Sequence, residues 1–297
     1  MKIALLGYGV EGESAYKYYS RAQPDAQFVI YDNSENPKYE IPSGVEFVGG
    51  VNDFQNIDAD IVVKTPAISP DKVSSNGQIT SVTREFFARC PAPIIGVTGT
   101  KGKGTTCTLI SEMLKAAGKK VHLVGNIGIP ALSELDKIEP GDIVVYELSS
   151  FQLWDLNRSP HIAVVLMIDS EHLDIHDGLK DYIKAKANIV IHQKPSDIAI
   201  YYSDNEAARQ IGESSTARKQ PFSVPQDQVI EVNEQKIIDK SEIKLVGEHN
   251  LQNIYAAILA VWHYTQDTEA MAKVLREFSG LPHRLAFVKE VNGVQYY

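Results

Sequence analysis

Ile94-Ile95-Gly96-Val97-Thr98-Gly99-Thr100-Lys101-Gly102-Lys103-Gly104-Thr105-Thr106 decides how this chain is read. An apolar, largely β-branched run leads into a glycine-rich turn, followed by a lysine and two hydroxyl residues. That order predicts a buried strand before the turn and a helix after it. Glycines let backbone N–H groups face an anion, the helix start adds its positive end, and Lys103 can reach the outer phosphates of a nucleotide. The match to G-x-x-x-x-G-K-[ST] is imperfect, because the first glycine is displaced and Gly104 follows the lysine. A plain glycine-rich strand-to-helix turn is the alternative, and it leaves Lys103 and the paired threonines without a role.

Upstream, residues 2–6 read as a buried strand that runs into Gly7-Tyr8-Gly9-Val10-Glu11-Gly12. A helix is expected to about Arg21, then a strand Phe28-Val29-Ile30-Tyr31 ending in Asp32, twenty residues beyond Gly12. Strand, glycine turn, helix, strand and acid in this order form the dinucleotide fingerprint. It specifies a Rossmann-like turn with a nucleotide at its edge, and it does not choose the nucleotide. An NAD-dependent oxidoreductase therefore stays open here, as does tight strand–helix packing alone. A third strand, Asp60-Ile61-Val62-Val63, ends at Lys64-Thr65-Pro66-Ala67-Ile68-Ser69-Pro70. Such a loop lies at the carboxyl end of a parallel strand, where open α/β sheets bind ligands; structural punctuation by two prolines is the other reading. Pro91-Ala92-Pro93 then breaks the chain, so the first domain is expected over residues 1–92.

The second unit, expected over 93–281, alternates strands and helices in the manner of a doubly wound, mostly parallel α/β sheet. Strands are expected at Ile94–Val97, Val121–Val124, Ile143–Glu147, Ile162–Ile168 and Ile198–Tyr201, with helices from Thr105 to Ala117 and from Leu179 to Ile191. The stretch 218–246 reads as a small antiparallel flap of short strands, and two helices follow, from about Asn250 and from Thr268. Residues 282–297 read as a linker and a hairpin turning at Asn292-Gly293. A lone hairpin is not stable in water, so a third domain, cut away, is expected after it.

The 297 residues carry a net charge of −9 and no basic cluster, which argues against a nucleic-acid-binding surface. The two cysteines, Cys90 and Cys107, lack metal-ligand spacing and read as free thiols. No apolar run is long enough for a signal peptide or a membrane span. A cytoplasmic protein without a membrane partner is expected.

Three positions could do chemistry. Glu147 ends a predicted strand near the phosphate loop, where a Mg²⁺ ligand belongs. His172, in Asp169-Ser170-Glu171-His172-Leu173-Asp174, suits a second metal or substrate orientation, although acids beside a histidine also make an ordinary solvated loop. Lys186 shares a helical face with Tyr182 and Ile189, while Lys184 points elsewhere. An inward lysine is costly when charged, so its pKa should fall and its amine become reactive. From spacing alone, snorkelling to solvent remains the competing account.

These pieces, in this order, resemble the Mur ligases of peptidoglycan synthesis from residue 2 to 297. The markers are Thr98–Thr106, Gly125-Asn126-Ile127-Gly128, Glu147-Leu148-Ser149-Ser150-Phe151-Gln152-Leu153, Glu171-His172-Leu173-Asp174, Tyr182–Lys186, Gly247-Glu248-His249-Asn250 through Asn253, and Gly280-Leu281-Pro282-His283-Arg284. The Glu147–Leu153 string points to the branch that adds D-glutamate. The resemblance implies ATP and Mg²⁺ as cofactors, UDP-N-acetylmuramoyl-L-alanine and D-glutamate as substrates, an acyl-phosphate intermediate and a monomer. It implies that Gly99, Thr100, Lys101, Gly102, Lys103, Gly104, Thr105 and Thr106 cradle ATP, with Asn253 at adenine and Arg284 at a nucleotide phosphate. Thr105 or Thr106 and Glu147 would hold one Mg²⁺, His172 a second, and Lys186 would be the family's carbamylated lysine. Lys103, Glu147, His172 and Lys186 would be catalytic. Asn126 and Ser150 would lie near the muramoyl group. Gly7, Tyr8, Gly9, Val10, Glu11, Gly12, Asp32, Thr65, Pro66, Ala67 and Ser69 would hold the uridine diphosphate end.

Four positions depart from the pattern. Gly104 stands where a hydroxyl usually follows the lysine, as in folylpolyglutamate-type relatives. Glu171 replaces an Asp, Met167 an Asn, and Ala67 a Gly. The absent third domain would bind D-glutamate and close over ATP, so a chain of this length is expected to turn over poorly or not at all. Another Mur-like or folylpolyglutamate-type ligase is the nearest rival.

Overall fold

The computed structural model describes residues 1–171 and 175–281, and the backbone of 289–291 and 294–296. The first sheet is built from β1 (Lys2–Leu6), β2 (Gln27–Tyr31), β3 (Glu46–Val48), β4 (Ile61–Lys64) and β5 (Gln78–Ser81). Its order is β3-β2-β1-β4-β5 and every pairing is parallel. Ile3, Ala4, Leu5 and Leu6 are all buried, because a parallel strand is covered on both faces and reads as a continuous apolar run. Helix α1 (Val10–Ala22) follows the glycine turn. Helix α2 (Val82–Arg89) begins at Ser81, whose Oγ accepts from the Arg84 N–H. A small parallel pair, Phe54–Ile57 with Val73–Ser75, lies outside the sheet.

The second sheet holds β6 (Ile94–Thr98), β7 (Val121–Gly125), β8 (Ile143–Glu147), β9 (Ile162–Val165), β10 (Ile198–Tyr202) and β11 (Arg218–Phe222), in the order β11-β10-β9-β6-β8-β7. All its pairings are parallel. β6 is flanked by β8 and β9, so the order reverses there, and the loop after β6 opens at the sheet's carboxyl edge where ligands bind. Helices α3 (Lys103–Ala116), α4 (Gly178–Ala187), α5 (Glu206–Glu213), α6 (His249–Trp262) and α7 (Thr268–Glu277) belong to this unit, with one-turn helices at Ala131–Glu134 and Ser150–Leu153. One apolar core takes Ile3, Ile30 and Val63 from the first sheet together with Val124, Tyr146 and Ala199 from the second. The other face of the second sheet packs Ile95, Val97, Val145 and Val164 beneath α3, α6 and α7.

The architecture is mixed α/β with parallel sheets, as expected, with corrections in detail. Arg218–Phe222 is not part of the flap: it pairs with β10 and forms the sheet's edge. Its polar run with Pro221 hid it as a strand, and an edge tolerates a proline. The antiparallel flap is the pair Val229–Val232 with Gln235–Asp239. β9 stops at Val165 rather than Ile168, and α4 ends at Ala187 rather than Ile191. Lys289–Val291 and Val294–Tyr296 pair as an antiparallel hairpin. Cys90 and Cys107 are free thiols, and burial pushes the Cys107 thiol up. Among the described residues no helix is long and apolar enough to cross a membrane.

Candidate active-site cleft

The carboxyl ends of both sheets face one cleft of about 880 Å³. The first sheet contributes the Gly7–Glu11 turn, Asp32 and the Thr65–Ile68 loop. The second contributes Lys103, Asn126, Ser150, Glu171, Tyr182 and Lys186.

On the first-sheet side, the glycine turn is closed from within. A Cβ on Gly12 would lie 2.0 Å from the Gly7 carbonyl oxygen, so only glycine lets α1 start so close to the strand end. Asp32 accepts from the Tyr8 N–H at 2.5 Å and from the Ser34 N–H at 2.8 Å. Oδ2 thus ties the glycine turn to the end of β2, while Oδ1 closes a local turn onto Ser34, at the position from which a dinucleotide fold would reach a ribose. Thr65 Oγ1 donates to the Leu6 carbonyl at 3.0 Å. Glu11 lies in the cleft wall with Oε2 buried and without a hydrogen-bond partner, and burial raises its carboxyl to about 7.

In sequence Lys64 looks only like the start of a loop. It is 1% exposed, and its Nζ donates to the Ile68 carbonyl at 3.2 Å and lies 3.5 Å from Asp155 Oδ1. Asp155 also accepts from Ser81 Oγ at 3.2 Å. Burial lowers the Lys64 pKa against the pull of Asp155. The pair fastens the Thr65–Ile68 turn to the segment that follows Ser150.

In the phosphate loop, Gly102 has φ +85° and caps α3. A Cβ there would lie 2.1 Å from Asn253 Oδ1, so the loop rests directly on α6. Asn253, expected at adenine, is 4% exposed and donates from Nδ2 to Asn250 Oδ1 at 3.0 Å. Lys103 Nζ donates to the Gly99 and Thr100 carbonyls at 3.0 and 2.8 Å. Glu147 ends β8 and is buried, and a Cβ on Gly104 would lie 3.5 Å from its Oε2. Position 104 therefore sits beside this carboxylate. Thr105 is nearly buried, and Thr106 Oγ1 is buried without a hydrogen-bond partner.

Lys186 is 1% exposed on the inner face of α4. Its Nζ donates to Gly99 O at 2.9 Å and to Thr98 Oγ1 at 3.3 Å, and lies 4.6 Å above the Tyr182 ring. Burial, with the nearby Lys103 charge, lowers its pKa to about 7. Inward placement rather than snorkelling is thus what the structure contains. Among the described residues no three His, Cys, Asp or Glu side chains converge as a metal site. His172 and Arg284 lie outside the described residues.

His176 is a residue the sequence reading passed over. Its side chain is fully buried, with Nδ1 2.9 Å from Asp181 Oδ2 and Nε2 2.9 Å from Ser150 Oγ. The signal was present as a second histidine after His172, five residues before Asp181.

Comparison with known proteins accords with this arrangement. Residues 97–261 match the Mur ligase middle domain. The chain is 34% identical over 321 residues to UDP-N-acetylmuramoylalanine–D-glutamate ligase of Clostridium kluyveri, and 36% identical over 330 residues to that of Clostridium acetobutylicum. Each alignment covers 100% of this chain and 69% of the relative. In fold it is similar to the UDP-N-acetylmuramate:L-alanyl-gamma-D-glutamyl-meso-diaminopimelate ligase from Neisseria meningitides, with TM-score 0.63 at 15% identity, covering 95% of this chain and 99% of that one. By sequence and by fold, the chain belongs to the Mur ligase family.

Proposed function

We propose that this protein is an ATP-dependent ligase of peptidoglycan synthesis that joins D-glutamate to UDP-N-acetylmuramoyl-L-alanine. The observation that carries this reading is the single cleft shared by the first-sheet glycine turn and the phosphate-loop lysine. A substrate with a nucleotide at one end and a carboxylate at the other would span it. Residues 1–92 would hold the uridine diphosphate through the Gly7–Gly12 turn and the Thr65, Pro66, Ala67 and Ser69 loop, with Asp32 fixing the turn. Residues 93–281 would hold ATP.

The chain's residues fit that nucleotide. Gly102 adopts a conformation that side chains resist, the loop feeds the start of a fourteen-residue helix, and Thr106 Oγ1 is an orphan buried hydroxyl beside it. ATP with Mg²⁺ would supply the phosphoryl group that turns the substrate carboxylate into an acyl phosphate. Lys103 would exchange its loop carbonyls for the outer phosphates. Thr105, Glu147 and His172 would hold metal. Lys186, with a pKa near neutrality, would carry its carbamate there, because a neutral amine is the form that adds CO₂. Asn126 and Ser150 would border the muramoyl group. Catalysis of this kind rests on alignment and charge neutralisation more than on a covalent enzyme group.

The test is amino-acid incorporation by the full-length enzyme given ATP and UDP-N-acetylmuramoyl-L-alanine. D-glutamate should be incorporated in preference to L-glutamate, meso-diaminopimelate and L-lysine. Preference for another amine, or for a folate acceptor, would overturn the assignment.

A further inference from the structure

Ser150, His176 and Asp181 form a hydrogen-bonded line that ends at the cleft. Asp181 is acceptor-only when ionised, so His176 carries its proton on Nδ1 and donates it to Asp181. Nε2 is then the acceptor, and the Ser150 hydroxyl donates to it. The serine's lone pairs are left on the other side, and Ser150 lines the cleft with Lys103 and Lys186. Every member is held. The imidazole lies parallel to the Phe151 ring at 5.3 Å with a 7° tilt, meets Trp154 at 4.6 Å, and is met edge-on by Tyr182 at 5.3 Å. Ser149 and Gln152 form a capping box that fixes the backbone of Ser150. Tyr182 OH lies 3.1 Å from Thr100 Oγ1, which joins the same cluster to the phosphate loop. Both ring nitrogens of this buried imidazole are paired, and the partner of Nε2, Ser150, lines the cleft.

We infer that Asp181–His176–Ser150 is a proton relay for the amide-forming step. The inference rests on the ligase reading above. An amine that attacks an acyl phosphate forms a C–N bond while the C–O bond to phosphate breaks, and the new nitrogen must lose a proton. That proton passes to Ser150 Oγ as the serine's own proton passes to His176 Nε2, and the ionised Asp181 steadies the imidazolium. Inorganic phosphate leaves with the electron pair of the broken bond. Ser150 makes no covalent bond to substrate. It is the catalytic contact, and His176 and Asp181 are positioning residues that act through it.

Single-turnover measurements on the full-length enzyme separate the two steps. ADP formed from ATP and UDP-N-acetylmuramoyl-L-alanine reads the first, and amide formed after D-glutamate is added reads the second. In His176→Gln the first step should stay within about 2-fold while the second falls about 10²-fold or more, the usual share of a general base. The loss should fall on kcat and leave the KM for D-glutamate in place. Asp181→Asn should move in the same direction, and Ser150→Thr, which keeps the hydroxyl, should retain amide formation that Ser150→Ala loses. Equal slowing of both steps in a folded His176→Gln, or no slowing of the second, overturns the relay. Should His176→Gln fail to fold, Asp181→Asn, altered at a partly exposed side chain, decides by the same readings. ADP and amide both absent from the unaltered enzyme would instead fall on the ligase reading, and the relay would go with it.

Discussion

Replacing Lys186 with methionine should make the protein more stable at neutral pH while abolishing ligation. Burial lowers this amine from 10.5 to about 7. Between those values the unfolded chain binds a proton that the folded chain does not, so this group makes stability climb with pH across that window. Below about pH 7 its penalty is complete. At 1.36 kcal/mol per unit of pKa, the upper bound is roughly 5 kcal/mol. Methionine removes that penalty and gives up two hydrogen bonds. Both acceptors keep another partner, since Gly99 O still accepts from Lys103 Nζ at 3.0 Å and Thr98 Oγ1 still donates to Leu148 O at 2.9 Å. The bonds therefore cost only about 1–2 kcal/mol. A net gain of about 2–3 kcal/mol at pH 7, shrinking to nearly nothing by about pH 9.5, is expected. Urea denaturation of both proteins in CO₂-free buffer reads it, because a carbamate would reverse the charge. A variant less stable at pH 7, or an offset that is the same at both pH values, would refute the reasoning.

Three further substitutions probe the cleft. Gly102→Ala puts a Cβ into a φ of +85° and 2.1 Å from Asn253 Oδ1; it should cost about 1–3 kcal/mol and remove the rise in melting temperature that ATP is expected to give the unaltered protein. An unchanged ATP-induced shift would contradict this role for the loop. Lys64→Met leaves Asp155 without its amine and should cost about 3 kcal/mol in urea denaturation, while Lys64→Met with Asp155→Leu should recover more than half. Additive losses in that cycle would show the pair is not coupled. Gly104→Ser places a hydroxyl near Glu147, against the flexible ends of Leu281 and Ile127 at 3.1 and 3.3 Å. ATP affinity should then gain more from added Mg²⁺ than it does in the unaltered protein, and calorimetry with and without the metal would expose an unchanged dependence.

Patterns that repeat along the chain were legible. The apolar runs of β1, β6, β8 and β10 announced parallel strands, and the glycine turns marked where ligands are expected. Lys186 was visible because helical spacing put it on the face of Tyr182. What stayed hidden depends on contacts between distant segments. Lys64 and Asp155 are 91 positions apart and each looks like a surface charge. β3 is three residues long, too short to show a period, and β11 is polar with a proline. Asp32 was readable as the fingerprint acid, but not that its oxygens would turn back onto Tyr8 and Ser34. His176 was overshadowed by His172, since Ser150, Phe151 and Trp154, which pair with it and stack on it, lie more than twenty positions upstream.

The central claim is that the first-sheet turn receives the nucleotide end of a muramoyl substrate. Calorimetric titration of this chain with UDP-N-acetylmuramoyl-L-alanine, with NADH as the comparison, tests it most directly. Saturable binding of the muramoyl nucleotide and none of NADH is the predicted result. Binding of NADH without the muramoyl nucleotide would contradict the account.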